Sequence, residues 1–351
     1  MVAVAVTLIV VAAGFTVLST TNRALRANSQ VVDTQQNVRV AMEMISRDVK
    51  MAGYGMIGPV GACNTAIVPA DNNPAGQDAG PDSVSVVVPT TSSVAPLWTL
   101  AASVGPGVNQ ITLQAGAVGP ATTPGTMQAA GLAVNSVISL AGTATATVSV
   151  IGGNTLTLNP PLGGPATFPA GTAVYLLQCV TYQVIPSPDP NNVCAGHSPC
   201  LARGVTAALN CNVASSPCVA ITDGIEDLQL AYACDGCTAA NGGFADGIID
   251  DQNASNSFDQ GDFLYNTTWA TPPLTPGTIQ LVQITIVARQ TAVDQGLGEG
   301  ASTAMVLSSP AAVATPDHNP VNDPTYSAAT YSQYRRRLLV RTVDTRNIHL
   351  L

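Results

Sequence analysis

The sequence predicts an α+β protein in which one long N-terminal helix packs on an antiparallel β-sheet domain with long, disulfide-stapled loops. Three observations carry this prediction. No proline occurs before Pro59, and the residues up to that point follow a helical pattern. Beyond residue 55, short β-rich runs alternate with Gly, Pro, Asn and Asp. The cysteines number eight, an even count, and six of them lie within residues 194–237.

Composition narrows the class of protein. Only 9% of the 351 residues are charged, 46% are hydrophobic, and the formal net charge is −9. An average soluble domain has about 25% charged residues, so long charged disordered tails are excluded. Twelve basic residues against twenty-one acidic ones argue against a nucleic-acid-binding face, which needs clustered Lys and Arg. We therefore expect no nucleic-acid partner.

The first part of the helix, residues 1–22, carries no charged side chain, and the first charged residue is Arg23. Eighteen helical residues span about 27 Å, close to the roughly 30 Å hydrocarbon core of a bilayer. The alternative is a cleaved secretory signal, but no Lys or Arg precedes the apolar run and the helical pattern continues beyond it. We predict a membrane-spanning or filament-core segment formed by Val2, Val4, Val6, Leu8, Ile9, Val10, Val11, Phe15 and Leu18.

The second part of the helix, residues 23–54, is amphipathic. Its apolar residues recur at steps of three, four and seven, which places them on one face of a helix. Opposite charges four residues apart predict the surface ion pairs Arg39–Glu43 and Glu43–Arg47. Gly53 is expected to end the helix near residue 52. The residues predicted to pack on the sheet are Val38, Met42, Ile45 and Val49.

Residues 55–351 are predicted to form one β-rich domain. The sequence Gly152-Gly153-Asn154 lies between two alternating runs and predicts a hairpin. A Cys-rich segment at 186–220 and an Asp-rich segment at 235–275 are predicted loop insertions. The predicted strands are Ser83–Val88, Gln110–Gln114, Ser136–Leu140, Ala144–Ile151, Thr155–Leu158, Ala173–Gln178, Thr181–Ile185, Asp227–Tyr232, Ile279–Ala288 and Arg336–Thr342.

The cysteines are interpreted as disulfides formed in an oxidising compartment. Zinc binding, haem attachment and redox catalysis are the alternatives, but only one pair has C-x-x-C spacing and no βαβ context surrounds it. Eight cysteines allow 105 connectivities, so any single pairing is one hypothesis. Spacing favours Cys194–Cys200, Cys211–Cys218 and Cys234–Cys237, which leaves Cys63 for Cys179.

The Asp-rich segment is a candidate calcium site. The run at 246–251, D-G-I-I-D-D, resembles the second half of an EF-type calcium loop. The full ligand pattern fails, because the first and third positions would be Gly242 and Phe244. Calcium is therefore one hypothesis, and a solvated, turn-rich loop is the other. The candidate ligands are Asp246, Asp250, Asp251, Asp259 and Asp262.

Catalytic motifs are missing from the sequence. It contains no H-E-x-x-H, no G-x-S-x-G and no G-x-x-x-x-G-K-[ST]. The three histidines, His197, His318 and His349, show no ligand or triad spacing and are interpreted as surface or terminal residues. We predict that the protein is not an enzyme and has no organic cofactor.

Four segments resemble, in chain order, the PilW-type minor pilins of type IV pili. Asn37–Gly55, N-V-R-V-A-M-E-M-I-S-R-D-V-K-M-A-G-Y-G, resembles the end of that family's N-terminal helix. Asp223–Tyr232, D-G-I-E-D-L-Q-L-A-Y, resembles its strand before an Asp/Gly loop, and Val282–Arg289 resembles the strand that follows. Tyr334–Val343, with R-N at 346–347, resembles its closing strand and ending.

The resemblance implies a pilin-like fold and a structural role. It implies a low-abundance subunit that is stored in the bacterial inner membrane, primes pilus assembly and lies at or near the pilus tip. The globular domain would be periplasmic and then extracellular. Implied partners are other minor and major pilins, the inner-membrane assembly platform and a large tip adhesin. Cell adhesion and twitching motility are the implied processes.

One part of the family pattern has no counterpart here. The family has a basic leader, a cleavage site after Gly and a mature start like F-T-L-x-E-L, and on this pattern Met1 stands a few residues inside the mature start. The methylated phenylalanine and early glutamate of the family are therefore assigned to no residue. Two other classes stay open: a J-type pseudopilin of type II secretion, and a membrane-anchored or secreted β-rich binding protein.

Overall fold

The computed structural model describes residues 2–90, 98–119, 124–163, 167–205, 209–237, 243–293, 313–324 and 326–347. Within these residues a long N-terminal helix packs on antiparallel sheets, and the predicted α+β class is confirmed. His349 and parts of the predicted long connections, including 294–312, lie outside the described residues.

Helix α1 runs Val2–Met51. Its end is set by Gly53, which has φ +80° and donates its N–H to Val87 O at 3.0 Å. A Cβ at this position would lie 2.8 Å from Ala66 Cβ. Both the left-handed conformation and the close approach therefore require glycine.

The described residues form twelve strands. They are β1 Ile67–Ala70, β2 Ser83–Thr90, β3 Gln110–Thr112, β4 Val137–Leu140, β5 Ala144–Gly152, β6 Thr155–Leu158, β7 Val174–Ile185, β8 Cys200–Val205, β9 Val219–Asp223, β10 Ile225–Cys234, β11 Ile279–Arg289 and β12 Arg336–Asp344. Two single-turn helices, α2 Thr126–Ala129 and α3 Ala328–Tyr331, lie between strands. Three-residue 3-10 turns occur at Gln260–Asp262, Pro276–Thr278 and Pro320–Asn322.

The described strands form two antiparallel sheets. The larger has the order β1-β2-β7-β4-β5-β6-β3, with β8 on β7 and β9 on β8, and the smaller is β10-β11-β12. Strand β7 joins the parts of the larger sheet. It pairs with β2 along one edge, and with β4 and then β8 along the other.

The two largest hydrophobic cores of the described residues are called the main core and the second core. The main core joins the second half of α1 to β2, β7, β10 and β11. A second core lies between β3, β4, β5, β6 and α2 and contains Trp98. Helix α1 contacts β2, β9, β11 and β12, so its second half lies against both sheets.

The structure differs from the predicted strands in three places. Strand β7 is continuous, whereas the sequence predicts two strands that end at Gln178 and begin at Thr181. The intervening Cys179 and Val180 are both buried in a central strand, which hides the alternation that marks a strand in sequence. Strand β1 was not predicted, and β8 and β9 lie where the sequence predicts the Cys-rich loop.

Candidate functional site

The first half of α1 is apolar and has no partner within the described residues. By length and composition this helix is able to cross a membrane, and none of its most apolar 18-residue stretch is buried. The exposed fractions reach 80% at Val2 and 73% at Phe15. All nine residues predicted to form a membrane or filament-core segment are exposed in this way. Monomeric soluble proteins rarely expose apolar surface of this extent, and such surfaces mark membrane or protein contacts.

The second half of the same helix is embedded in the β domain. Ile45 and Val49 have no exposed surface, and Val38 and Met42 are buried beside them in the main core. These are the four residues that the helical period places on the sheet-facing side. The first half of α1 is therefore exposed and is called the bare half, and the second half is packed in the β domain and is called the fixed half. Burial of the helix begins near Thr34.

A buried polar cluster ties the fixed half to the larger sheet. Asp48 Oδ2 accepts hydrogen bonds from Tyr182 Oη at 2.6 Å and from Arg203 Nη2 at 2.7 Å and Nε at 3.1 Å. Burial and then the Asp48 charge raise the pKa of Tyr182 above its usual value. Burial acts to lower the pKa of Arg203, but Tyr182 and Asp48 outweigh burial and raise it. The buried Asp48 carboxylate thus receives hydrogen bonds from side chains on two strands of the larger sheet, Tyr182 on β7 and Arg203 on β8.

Three further contacts tie α1 to the β domain. Arg341 on β12 donates to Glu43 at 3.0 Å. This contact replaces the predicted pairs of Glu43 within the helix, and Arg47 instead pairs with Asp48. The Asn37 side chain donates to Asp223 O at 3.0 Å, where the chain passes from β9 to β10. The Asn347 side chain donates to Lys50 O at 3.0 Å.

Four disulfides staple the β domain. The structure forms the three local pairs that the spacing favours, Cys194–Cys200, Cys211–Cys218 and Cys234–Cys237, and the remaining pair Cys63–Cys179. The first joins the segment after α1 to β7 across 116 residues, so it constrains the main core, whereas the other three close local turns.

The five aspartates of the candidate calcium loop each accept a backbone N–H bond. Asp250 and Asp262 are buried and accept from Cys237 and Gln252 respectively. The others are exposed and cap turns in the same loop: Asp246, Asp251 and Asp259. Hydrogen bonds from turn N–H groups lower the pKa of Asp251 and Asp259. The calcium hypothesis for this loop stays a prediction.

Sequence analysis missed a second acidic group, in the connection between β1 and β2. Carboxylate oxygens of Asp71, Asp78 and Asp82 all lie within 4.8 Å of one another. Asp317, from the segment before α3, lies beside them. The D-N-N-P-A-G-Q-D-A-G-P-D run at 71–82 shows the spacing of the first three, but nothing in the sequence indicates the approach of the fourth.

His318 is buried, although the sequence interpretation placed it at the surface. Its Nδ1 lies 2.9 Å from Asp227 and its Nε2 lies 2.8 Å from Asp323. Burial acts to lower the pKa of His318, but these two carboxylates outweigh burial and raise it to about 9. Next to it, Arg336 donates to Glu226 at 2.9 Å.

A cavity of about 320 Å³ is lined by the charged residues Glu226, Asp227, His318, Asp323 and Arg336. Its volume is at the small end of the range for ligand clefts, about 300–1,000 Å³. The charged side chains of this cavity neutralise one another, because His318 contacts Asp227 and Asp323 while Glu226 contacts Arg289 and Arg336. The arrangement supports a structural role for the cavity better than binding of a charged ligand.

Comparisons with known proteins found little at the sequence level. No protein-family model matches the chain, and no curated protein matches it. Among solved structures the chain is similar to a type IV-like pilin from Thermus thermophilus, with 10% identity and a TM-score of 0.32. The alignment covers 90% of this chain and 97% of that one. A likeness at this level does not establish a shared function.

Proposed function

We propose that this protein is a minor pilin, a structural subunit that is held in the bacterial inner membrane and then enters a type IV pilus. The single observation that carries the proposal is the division of α1 into a bare apolar half and a half fixed in the β domain. The bare half would span the membrane and later lie in the helical filament core, with the β domain facing outward.

The physical argument rests on apolar surface that the folded chain leaves in water. Fully burying one Val, Leu, Ile or Phe side chain is worth about 1.5–3 kcal/mol, and thirteen such side chains of α1 stand exposed, ten of them within residues 2–18. A bilayer and a bundle of similar helices both remove this surface from water. No charge occurs before Arg23, as either environment requires because an unpaired charge is costly there.

The segments that resemble PilW-type pilins lie together although they are far apart in the chain. The helix end at 37–51 packs on β11 and β12, and β10 pairs with β11. These strands contain the other three resembling segments. This common module supports a pilin over an unrelated anchored protein, because the resembling residues share one structural unit.

In the finer form of the proposal, the subunit primes assembly and lies at or near the pilus tip. Its partners are other minor and major pilins, the assembly platform and a large adhesin. Four disulfides and few charges fit an extracellular surface. A J-type pseudopilin of type II secretion has the same architecture, and the location of the native chain separates the two.

The test compares two isoleucines that are both exposed in the folded chain. Ile9 lies in the bare half of α1, 69% exposed, and Ile57 lies in the β domain, 56% exposed. We expect Ile9→Asp to deplete the chain from membranes and from sheared surface filaments, since an acid at the centre of a spanning helix costs about 2.5–3.5 kcal/mol. Ile57→Asp is the matched control and is expected to behave like the wild type.

The disulfide pattern on a non-reducing gel reports whether each variant still folds. Wild-type levels of Ile9→Asp in both fractions would contradict the proposal. Recovery of the wild-type chain in sheared pili favours the pilus. Its absence from pili, together with a secretion defect on deletion, favours the pseudopilus.

A further inference from the structure

Three long connections and one strand meet at a buried acidic group beside β10. The connection from β1 to β2 supplies Asp71, Asp78 and Asp82, whose carboxylates lie within 4.8 Å of one another. Asp82 Oδ2 accepts from Leu230 N of β10 at 2.9 Å, and Asp71 Oδ2 accepts from Thr267 N at 3.0 Å. Asp78 and Asp82 are 1% and 2% exposed. Asp78 and Asp82 therefore lie between elements, away from water, and Asp71 is half-buried.

Asp317 adds a buried carboxylate whose two oxygens have no hydrogen-bond donor. The residue is 1% exposed, and its backbone O accepts from Asp78 N at 3.0 Å, which fixes it against the group. By geometry neither of its carboxylate oxygens has a hydrogen-bond donor, although the Asn266 amide lies close enough to lower the pKa. Asp78 Oδ2 has no donor either. Nine-tenths or more of buried polar groups have a partner in proteins, so these oxygens require an explanation.

Protein groups alone do not balance the charge. The nearby His318 is paired with Asp227 and Asp323 rather than with Asp317. Backbone N–H groups bind both oxygens of Asp71 and of Asp82 but only Oδ1 of Asp78. Three oxygens, Asp78 Oδ2 and both of Asp317, are left without a donor. Tyr232 Oη, which is buried and lacks a partner, also lies near these charges.

Without a cation the group destabilises its own ionised form. Burial and then the Asp78 charge raise the pKa of Asp82 to about 9. Burial raises the pKa of Asp78 to about 6, and burial followed by the charges of Asp78 and Asp71 raises that of Asp317 to about 7. Burial is the largest cause of each of these pKa shifts, and the neighbouring carboxylates add to it.

We propose that Asp71, Asp78, Asp82 and Asp317 bind one calcium ion, which clamps the β1–β2 connection and the segment before α3 onto β10. The chemistry of the donors selects the metal. All four are carboxylates, and calcium takes six to eight oxygen ligands at 2.3–2.6 Å in flexible geometry. Zinc favours nitrogen and sulfur ligands, and magnesium keeps several waters, for which a buried site of this kind has little room. This site is distinct from the loop at 235–275.

The test uses the full chain in detergent micelles, with its disulfides intact and its metals removed by EDTA. Isothermal titration with calcium chloride is expected to show one ion bound per chain. At a hundredfold excess over Kd, calcium is expected to raise the thermal midpoint by about 5 °C. Magnesium at the same concentration is expected to give a smaller rise.

Two isosteric variants probe the ligands. Asp78→Asn and Asp317→Asn are each expected to weaken calcium binding at least tenfold. Both are expected to raise the midpoint of the metal-free protein, because each removes a repelling charge. Asp344→Asn, at an aspartate of β12 whose side chain is 56% exposed, is the matched control and is expected to bind calcium normally. Asp251→Asn reports separately on the other acidic loop.

Several results would overturn the site. The first is that the wild-type chain binds no calcium, and the second is that magnesium raises the thermal midpoint as much as calcium does. The third is that Asp251→Asn abolishes calcium binding while Asp78→Asn and Asp317→Asn leave it intact. Circular dichroism confirms that each variant is folded. If one of the two ligand variants fails to fold, the other still decides.

Discussion

Removal of Arg203 tests whether the polar cluster fixes α1 to the β domain. Arg203→Met keeps the apolar stem of the side chain and deletes the charge that binds Asp48 Oδ2 through two nitrogen atoms. Asp48 has a side chain that is only 6% exposed. The variant therefore leaves a buried carboxylate with Tyr182 as its remaining donor on that oxygen.

The expected cost follows from the geometry. Breaking a buried ion pair by removing one partner costs about 3–5 kcal/mol. The side chain of Arg203 is 28% exposed, and Arg47 still contacts the other carboxylate oxygen at 3.1 Å. Both facts reduce the loss, so we expect a decrease of about 2–3 kcal/mol in the free energy of unfolding.

Arg47→Met is the matched control, because Arg47 contacts the same carboxylate from solvent with 63% of its side chain exposed. An exposed ion pair contributes about 0.2–1 kcal/mol, so this variant is expected to lose less than 1 kcal/mol. The assay is urea unfolding of the oxidised chain in detergent, followed by tryptophan fluorescence, to which Trp269 of the main core and Trp98 of the second core contribute. Equal losses for Arg203→Met and Arg47→Met would refute the anchoring role.

Other predictions follow from the same contacts. Ile45→Asp buries an unpaired charge in the main core and is expected to abolish the cooperative thermal transition. Val40→Asp is the control, because Val40 is 46% exposed, and it is expected to change the thermal midpoint little. Similar midpoints for the two variants would contradict the packing of α1 on the sheet. Replacing Cys63 and Cys179 together by Ser is expected to cost about 2–5 kcal/mol in unfolding free energy. The same change in the pair separated by 6 residues should cost less, and the reverse order in urea unfolding would count against the account.

Much of the helix was predictable because its signals are local. The absence of proline and the spacing of Val38, Met42, Ile45 and Val49 determine its course and its buried face. The glycine at position 53 marks its end. Local spacing likewise favoured three of the disulfide pairs that the structure contains, and the fourth, Cys63–Cys179, followed because these two cysteines remained.

The polar sites were not predictable because their partners are distant in sequence. Asp48 meets Tyr182 and Arg203 across 134 and 155 residues, and no periodicity reports such a contact. Asp317 reaches Asp78 in the same way, across the long connections that precede α3. A loop aspartate in sequence carries the same signal whether it caps a turn, as Asp251 does, or lies buried among other carboxylates.

Mass spectrometry of the native N-terminal peptide, taken from membranes and from sheared surface filaments, tests the central claim most directly. The account predicts a processed, N-methylated start on the native chain and the presence of this processed chain in the sheared filaments. Such a result would establish that the bare half of α1 belongs to a chain that is processed as a pilin and enters filaments. Cleavage within residues 12–30 would contradict the account, because the apolar half of α1 would then be absent from any filament core. A native chain without a processed, N-methylated start would also contradict it.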